Sequence, residues 1–264
     1  MRKARQVVFL MYHELEMSGR PLCQSEAGYR RYVLTVDEFR SQMHWLQDGG
    51  WQGLSVGAWL ASLAGNEDAQ NRVVVTFDDG CETDLLVAAP ILQEAGFVAT
   101  FYVTAGFLGR LGYMDAAQVR ELSTQGFEIG CHSMTHSYLN DLDKDGKHCE
   151  IVDAKTKLED ILGKPVEHFS CPGGRWNVGT LQVAREAGYQ SVTNSHAQIN
   201  TAATDLFALG RVAVQREAGL AAFQQICLGQ NLWRMQLQEQ LRNTAKQVLG
   251  NRIYDRGREL LLRK

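Results

Sequence analysis

The stretch Gly96-Phe97-Val98-Ala99-Thr100-Phe101-Tyr102-Val103 decides the fold class. It follows a helix-like apolar segment, and its glycine can close that helix in the left-handed conformation open to a residue without Cβ. The aromatic that follows begins a β-rich run. The same punctuation recurs at Gly50-Trp51, Gly126-Phe127 and Gly188-Tyr189, so helix passes into strand four times along the chain. Repeated helix-to-strand passages predict a parallel α/β fold. Helix starts agree: Thr35 and Glu38 form a capping box before Phe39, Met43 and Leu46, Ser55 precedes Val56, Trp59 and Leu60, and Asp115 precedes Val119 and Leu122.

Strands are expected near residues 6–12, 72–77, 97–103, 127–131, 166–170, 189–194 and 207–214. About seven strands exceed the needs of a small doubly wound sheet, so a distorted (β/α) barrel over 1–215 is expected, with a flavodoxin-like open sheet as the alternative. Both place reactive groups at the C-terminal ends of strands. Beyond residue 216 strand signals stop, and apolar residues from Leu232 to Leu261 recur at helical spacing, so 216–264 is read as helices packed back on the barrel. Residues 231–264 carry eight Arg and Lys against three Asp and Glu. Such a basic amphipathic face is also suited to peripheral contact with an anionic membrane or a protein.

The 264 residues are 45% hydrophobic and carry a formal net charge of −3, which gives no indication of a nucleic-acid partner. The basic start Met1-Arg-Lys-Ala-Arg5 precedes an apolar run, Val7 to Met11, too short for a signal segment or a membrane span, so a cytoplasmic protein is expected, working in solution or at the inner membrane face. The six cysteines show no CxxC spacing and are read as reduced thiols packed beside strands, three of them (Cys81, Cys131, Cys171) next to the motifs below.

Chemistry concentrates in strand-end motifs. Val73-Val-Val-Thr-Phe-Asp78-Asp79-Gly80 runs an apolar strand into two carboxylates and a glycine turn that can bring both to one rim. Two like charges so close favour a cation beside them. Phe127-Glu-Ile-Gly-Cys-His132-Ser-Met-Thr-His136 follows a second strand, and histidines four apart on a helical turn reach one ion. With Asp79 they make a two-histidine, one-carboxylate shell with open positions. A third loop, Phe169-Ser-Cys-Pro172-Gly173-Gly174-Arg175-Trp176, offers backbone N–H groups to an oxyanion and an indole plate to a sugar ring. His13 ends the first strand, where it can protonate a leaving amine. His44, His148, His168 and His196 have no matching partners.

Together Thr76-Phe-Asp-Asp-Gly80, His132-Ser-Met-Thr-His136 and the 169–174 loop resemble the first three motifs of the polysaccharide deacetylase family, the NodB-homology domain of carbohydrate esterases. The resemblance runs from about residue 6 to residue 215. It implies a distorted barrel of about seven strands, a divalent metal on Asp79, His132 and His136 (zinc foremost; cobalt, nickel and manganese as alternatives), and Asp78 as general base. Substrate contacts fall to Pro172, Gly173, Gly174 and Trp176. Two departures stand out: Ser170 and Gly173 replace the usual Arg and Tyr of the third motif, and no late Leu-x-His is present. Members that deacetylate poly-N-acetylglucosamine exopolysaccharides are permuted and carry that histidine on the first strand, which points to His13 as general acid. The expected reaction is removal of acetyl groups from an N-acetylated amino sugar in an oligosaccharide, polysaccharide or lipid-linked precursor. A silent sugar-binding or scaffold domain and a non-haem iron oxygenase are the competing readings.

Overall fold

The computed structural model describes residues 6–24, 26–64, 71–216 and 218–237. Strand β1 (Val7–Tyr12) has all six residues buried, the pattern of a strand covered on both faces. The short β2 (Leu15–Glu16) and β3 (Leu34–Thr35) pair in parallel around α1 (Ala27–Arg30). Thr35 then opens α2 (Val36–Asp48) through the predicted capping box, Glu38 N–H donating to the Thr35 hydroxyl and Thr35 N–H to the Glu38 carboxylate. Next come β4 (Gln52–Leu54), α3 (Val56–Ser62, capped by Ser55), β5 (Arg72–Phe77), α4 (Ala89–Ala95) and β6 (Thr100–Val103). Helix α5 (Ala116–Thr124), capped by Asp115, leads to β7 (Glu128–Cys131), α6 (Lys144–His148) and α7 (Ala154–Leu162). The chain continues through β8 (His168–Ser170), α8 (Val178–Glu186), β9 (Ser191–Thr193), β10 (Ile199–Asn200), β11 (Val212–Ala213) and α9 (Gly219–Cys227). Gly50, Gly96, Gly126 and Gly188 all have positive φ (68, 72, 94 and 79°), so each punctuation makes the left-handed turn expected of it.

The main sheet runs β10-β1-β5-β6-β7-β8-β9, with β11 also on β1 and β4 also on β5. All pairs are parallel except β1 with β10. The sheet curls, and its gap is spanned by a short segment: Leu209 bridges Thr193 and Val212 pairs with Leu10. The result is a distorted, incompletely closed barrel. Strands β4 and β10, too short to show a period, were not among those expected.

Beneath the rim, Phe77 stacks between Tyr12 (5.1 Å) and Phe101 (5.0 Å), fixing three neighbouring strand tips against one another. Helix α9 docks on α2 through Phe223 and Trp45, whose rings lie 6.0 Å apart. Most of the predicted basic helical region, 238–264, and with it the expected membrane or protein contact, lies outside the described residues. Among the described residues no helix is long and apolar enough to cross a membrane.

Candidate active site

Asp78 continues the sheet, its N–H donating to the Tyr12 carbonyl at 3.0 Å, and Asp79 then turns into the left-handed region at φ 79°. That reversal sets two successive carboxylates on one rim where a regular strand would send them to opposite faces. A non-glycine residue held there costs on the order of 1–3 kcal/mol, which the surrounding packing must supply. At Gly80, with φ 81°, a Cβ would meet Val103 at 3.1 Å.

His132 and His136 do not sit on a helical turn as the four-residue spacing suggested. They lie on a non-helical bend after β7, with Ser133 and His136 at φ 68° and 62°. Backbone N–H groups freed by the bend are satisfied by Glu150, which accepts from Met134 (3.0 Å) and Thr135 (2.8 Å) and also from the Thr135 hydroxyl. The His136 N–H donates to Ser133 Oγ at 3.0 Å. Glu150 escaped the sequence reading because it acts from another segment.

The bend brings His132 Nε2 and His136 Nε2 each to 3.5 Å from Asp79 Oδ1, and the three ligand-type atoms lie within 4.8 Å of one another. His132 Nδ1 is 2.9 Å from the Ser170 carbonyl. That acceptor selects the tautomer protonated at Nδ1 and turns the Nε2 lone pair toward Asp79. Burial pushes the His132 pKa down to about 4 against the opposing pull of Asp78, so the imidazole is neutral at physiological pH. Asp79 Oδ1 is buried with no hydrogen-bond partner among the described residues. An orphaned carboxylate oxygen facing two imidazole nitrogens is a donor set that fits a divalent ion of the zinc kind.

Beside this cluster, Asp78 is clamped by a residue the motif reading missed. Arg211 Nη1 and Nη2 donate to Asp78 Oδ1 and Oδ2, both at 2.7 Å. The guanidinium is 1% exposed and also donates to Thr76 Oγ1 (3.1 Å), Ser170 Oγ (2.8 Å) and the Asn194 carbonyl (3.1 Å). Burial opposes ionisation of Asp78, but the paired guanidinium outweighs it and holds the carboxyl well below the usual carboxylate range. Ser170, standing where an Arg was expected, is small enough to admit a guanidinium that arrives from the barrel-closing segment instead. A sequence signal existed: Arg211 is the single charge inside the apolar run Leu209 to Val214.

His13 directly follows Tyr12, whose carbonyl accepts from Asp78, so it lies at the same rim. Its ring stacks on Tyr32 at 4.9 Å, and Nδ1 is buried without a partner among the described residues. Burial lowers its pKa, while Asp79 and Asp78 pull it upward. In the third loop, Pro172 to Gly174 form a single tight turn with Gly173 and Gly174 at φ 60° and 68°. A Cβ on Gly173 would lie 2.8 Å from the Tyr138 ring, so glycine here makes room for an aromatic contributed by another loop. The Arg175 guanidinium covers that ring at 3.7 Å, and Trp176 is 37% exposed.

Paired carboxylates, two histidines and the guanidinium of Arg211 thus share one barrel rim. The polysaccharide deacetylase family model matches residues 65–192. Residues 65–192 thus carry a polysaccharide deacetylase domain. The chain is accordingly a hydrolase of carbon–nitrogen bonds other than peptide bonds. YxkH of Bacillus subtilis (strain 168), whose name places it among polysaccharide deacetylases, is 29% identical over 222 residues, covering 84% of this chain and 76% of its own length. The poly-beta-1,6-N-acetyl-D-glucosamine N-deacetylase of Staphylococcus aureus (strain MRSA252) is 26% identical over 178 residues, 62% of this chain and 61% of the relative. Among solved structures, Streptococcus pyogenes deacetylase PplD in complex with acetate superposes with a TM-score of 0.74 at 26% identity, over 85% of this chain and 99% of PplD.

Proposed function

We propose that this polysaccharide deacetylase removes the acetyl group from N-acetylated glucosamine-type residues of an oligo- or polysaccharide, releasing acetate and a free amine. The observation that carries the reading is the Arg211 clamp on Asp78 beside the Asp79, His132 and His136 cluster. A carboxylate kept ionised and immobile next to a metal-type donor set is suited to deprotonating water, which neither a silent scaffold nor an iron oxygenase requires. Relatives support the substrate class: one acts by name on poly-N-acetylglucosamine, and another was solved with acetate.

Asp79, His132 and His136 would hold the divalent ion, zinc foremost. When bound, the ion supplies Lewis-acid polarisation and makes water a nucleophile near neutral pH. Asp78 receives the proton of the attacking water, and Arg211 holds its two oxygens in a fixed plane while this happens. The backbone at Gly173 receives the developing oxyanion. His13, whose Nδ1 has no partner among the described residues, delivers a proton to the departing amine. Trp176 offers its exposed ring to the sugar.

The test is acetate release from N-acetylglucosamine oligomers by metal-loaded wild type and by Asp78→Asn, with bound metal quantified in both. Release should fall by about 10²–10⁴ in the variant with metal retained. Wild type that holds metal yet releases no acetate from any N-acetylated oligosaccharide would overturn the reading.

A further inference from the structure

Among the described residues a second group of metal-type donors stands apart from the first. A carboxylate oxygen of Glu14 and the Sγ atoms of Cys23 and Cys81 all lie within 4.8 Å of one another. Two metal–ligand bonds of about 2.3 Å placed end to end span about 4.6 Å, so the three atoms are spaced to share one ion. They come from separate parts of the fold: Glu14 two residues past β1, Cys23 in the loop before α1, and Cys81 in the turn that follows Asp79 and Gly80. The two sulfurs are 3.1 Å apart although 58 residues separate them in sequence. No motif spacing unites them; the fold does.

An independent feature points to a cation here. Asp84 is 1% exposed, and neither carboxylate oxygen has a hydrogen-bond partner among the described residues. Its N–H donates to the Cys81 carbonyl at 3.0 Å, which places it on the turn that carries Cys81, and burial first, then the negative potential of Cys23, Asp79 and Glu14, opposes its ionisation. A buried carboxylate with no donor is strongly unfavourable unless positive charge or a proton satisfies it. Arg20, which lines a small cavity together with Glu14, is paired with Glu82. That cavity, lined in part by Glu14, Thr83 and Gly112, has a volume of about 10 Å³, room for one water.

We propose that Glu14, Cys23 and Cys81 form a structural site for a thiophilic divalent ion of the zinc class, with water as fourth ligand. Two sulfurs and a carboxylate suit a small tetrahedral ion that accepts soft donors, and not calcium or magnesium, which take oxygen only. The ion ties the Cys23 loop and the end of β1 to the turn in which Asp79 is held at φ 79°. It would thereby support the backbone of the rim without touching substrate.

Cobalt(II) binding to the full-length reduced chain tests this, because thiolate ligation gives a charge-transfer band in the near ultraviolet that histidine and carboxylate ligands do not. Wild type should take up about two equivalents and show the band. Cys23→Ser should lose the band and one equivalent while keeping the other, and His136→Ala should keep the band and lose the other equivalent together with acetate release. In wild type, zinc should protect Cys23 and Cys81 from alkylation as read by peptide mass, a measurement that does not depend on any variant folding. The proposal fails if the band is absent, if Cys23→Ser leaves it unchanged, if zinc gives no protection, or if a Cys23–Cys81 disulfide forms in air and its reduction yields no cobalt–thiolate absorption. Because these readouts follow occupancy and not turnover, failure here leaves the deacetylase reading intact, and the reverse also holds.

Discussion

Strands β7 and β8 begin on an acid and a histidine, and the rim where they begin is built to the opposite rule from the rim of the candidate site. At their N-terminal ends, Glu128 accepts hydrogen bonds from Ser55 Oγ (3.1 Å), Gly57 N–H (2.9 Å) and the Thr100 hydroxyl, with His168 Nε2 at 3.6 Å and His168 Nδ1 at 3.0 Å from Ser191 Oγ. His168, which showed no partner in the sequence, thus has a full set in the fold. On the opposite rim, Asp79 Oδ1 after β5 and His13 Nδ1 after β1 are buried without partners among the described residues, and the non-glycine motif residues Asp79, Ser133 and His136 hold left-handed backbone. Satisfied buried polar groups fasten elements together; unsatisfied and strained ones mark a place prepared for something to bind. The same residue types serve architecture at one rim of the sheet and stand ready to bind at the other.

That contrast can be broken experimentally. The largest effect is expected from His13→Ala, with acetate release falling by up to about 10⁴ while bound metal stays unchanged; loss of metal instead would place His13 among the ligands. Arg211→Met should lower release by about 10²–10³ and stability by about 3–5 kcal/mol, since it leaves a buried carboxylate uncompensated. The sign of its pH dependence follows from the clamp. With Arg211 present, the depressed Asp78 pKa contributes stability above the unfolded value that is lost only as pH falls through the folded value. Without Arg211, burial alone raises the Asp78 pKa, so the acid limb of kcat/KM should move to higher pH, and an unmoved limb would deny the clamp its role. Arg211→Lys, retaining charge without the bidentate fork, should fall between.

Smaller effects sharpen the comparison. Glu150→Gln should weaken metal affinity about 10–100-fold, because it loosens the bend that aims His136, with unchanged secondary structure by circular dichroism. Glu128→Gln, at the opposite end, should cost about 1–3 kcal/mol in denaturant titrations and leave metal affinity and kcat at wild-type values. A change in kcat from Glu128→Gln would show that the two ends are coupled.

What could be read from the sequence were features generated by near neighbours. The capping box at Thr35, the helix start at Asp115, the left-handed glycines before each aromatic, the strand running into Asp78 and Asp79, and the histidine pair all depend on contacts a few residues apart, and each stands where expected. The histidines' helical turn is the exception, since spacing of four is compatible with a tighter bend once Glu150 accepts the freed N–H groups. Tertiary structure alone decided which residue clamps Asp78, because Arg211 lies 133 residues away and is delivered by closure of the barrel between β9 and β1. It likewise decided that Cys23 meets Cys81. Local periodicity carries no record of such approaches; they follow from how a curled parallel sheet brings its last strand back to its first.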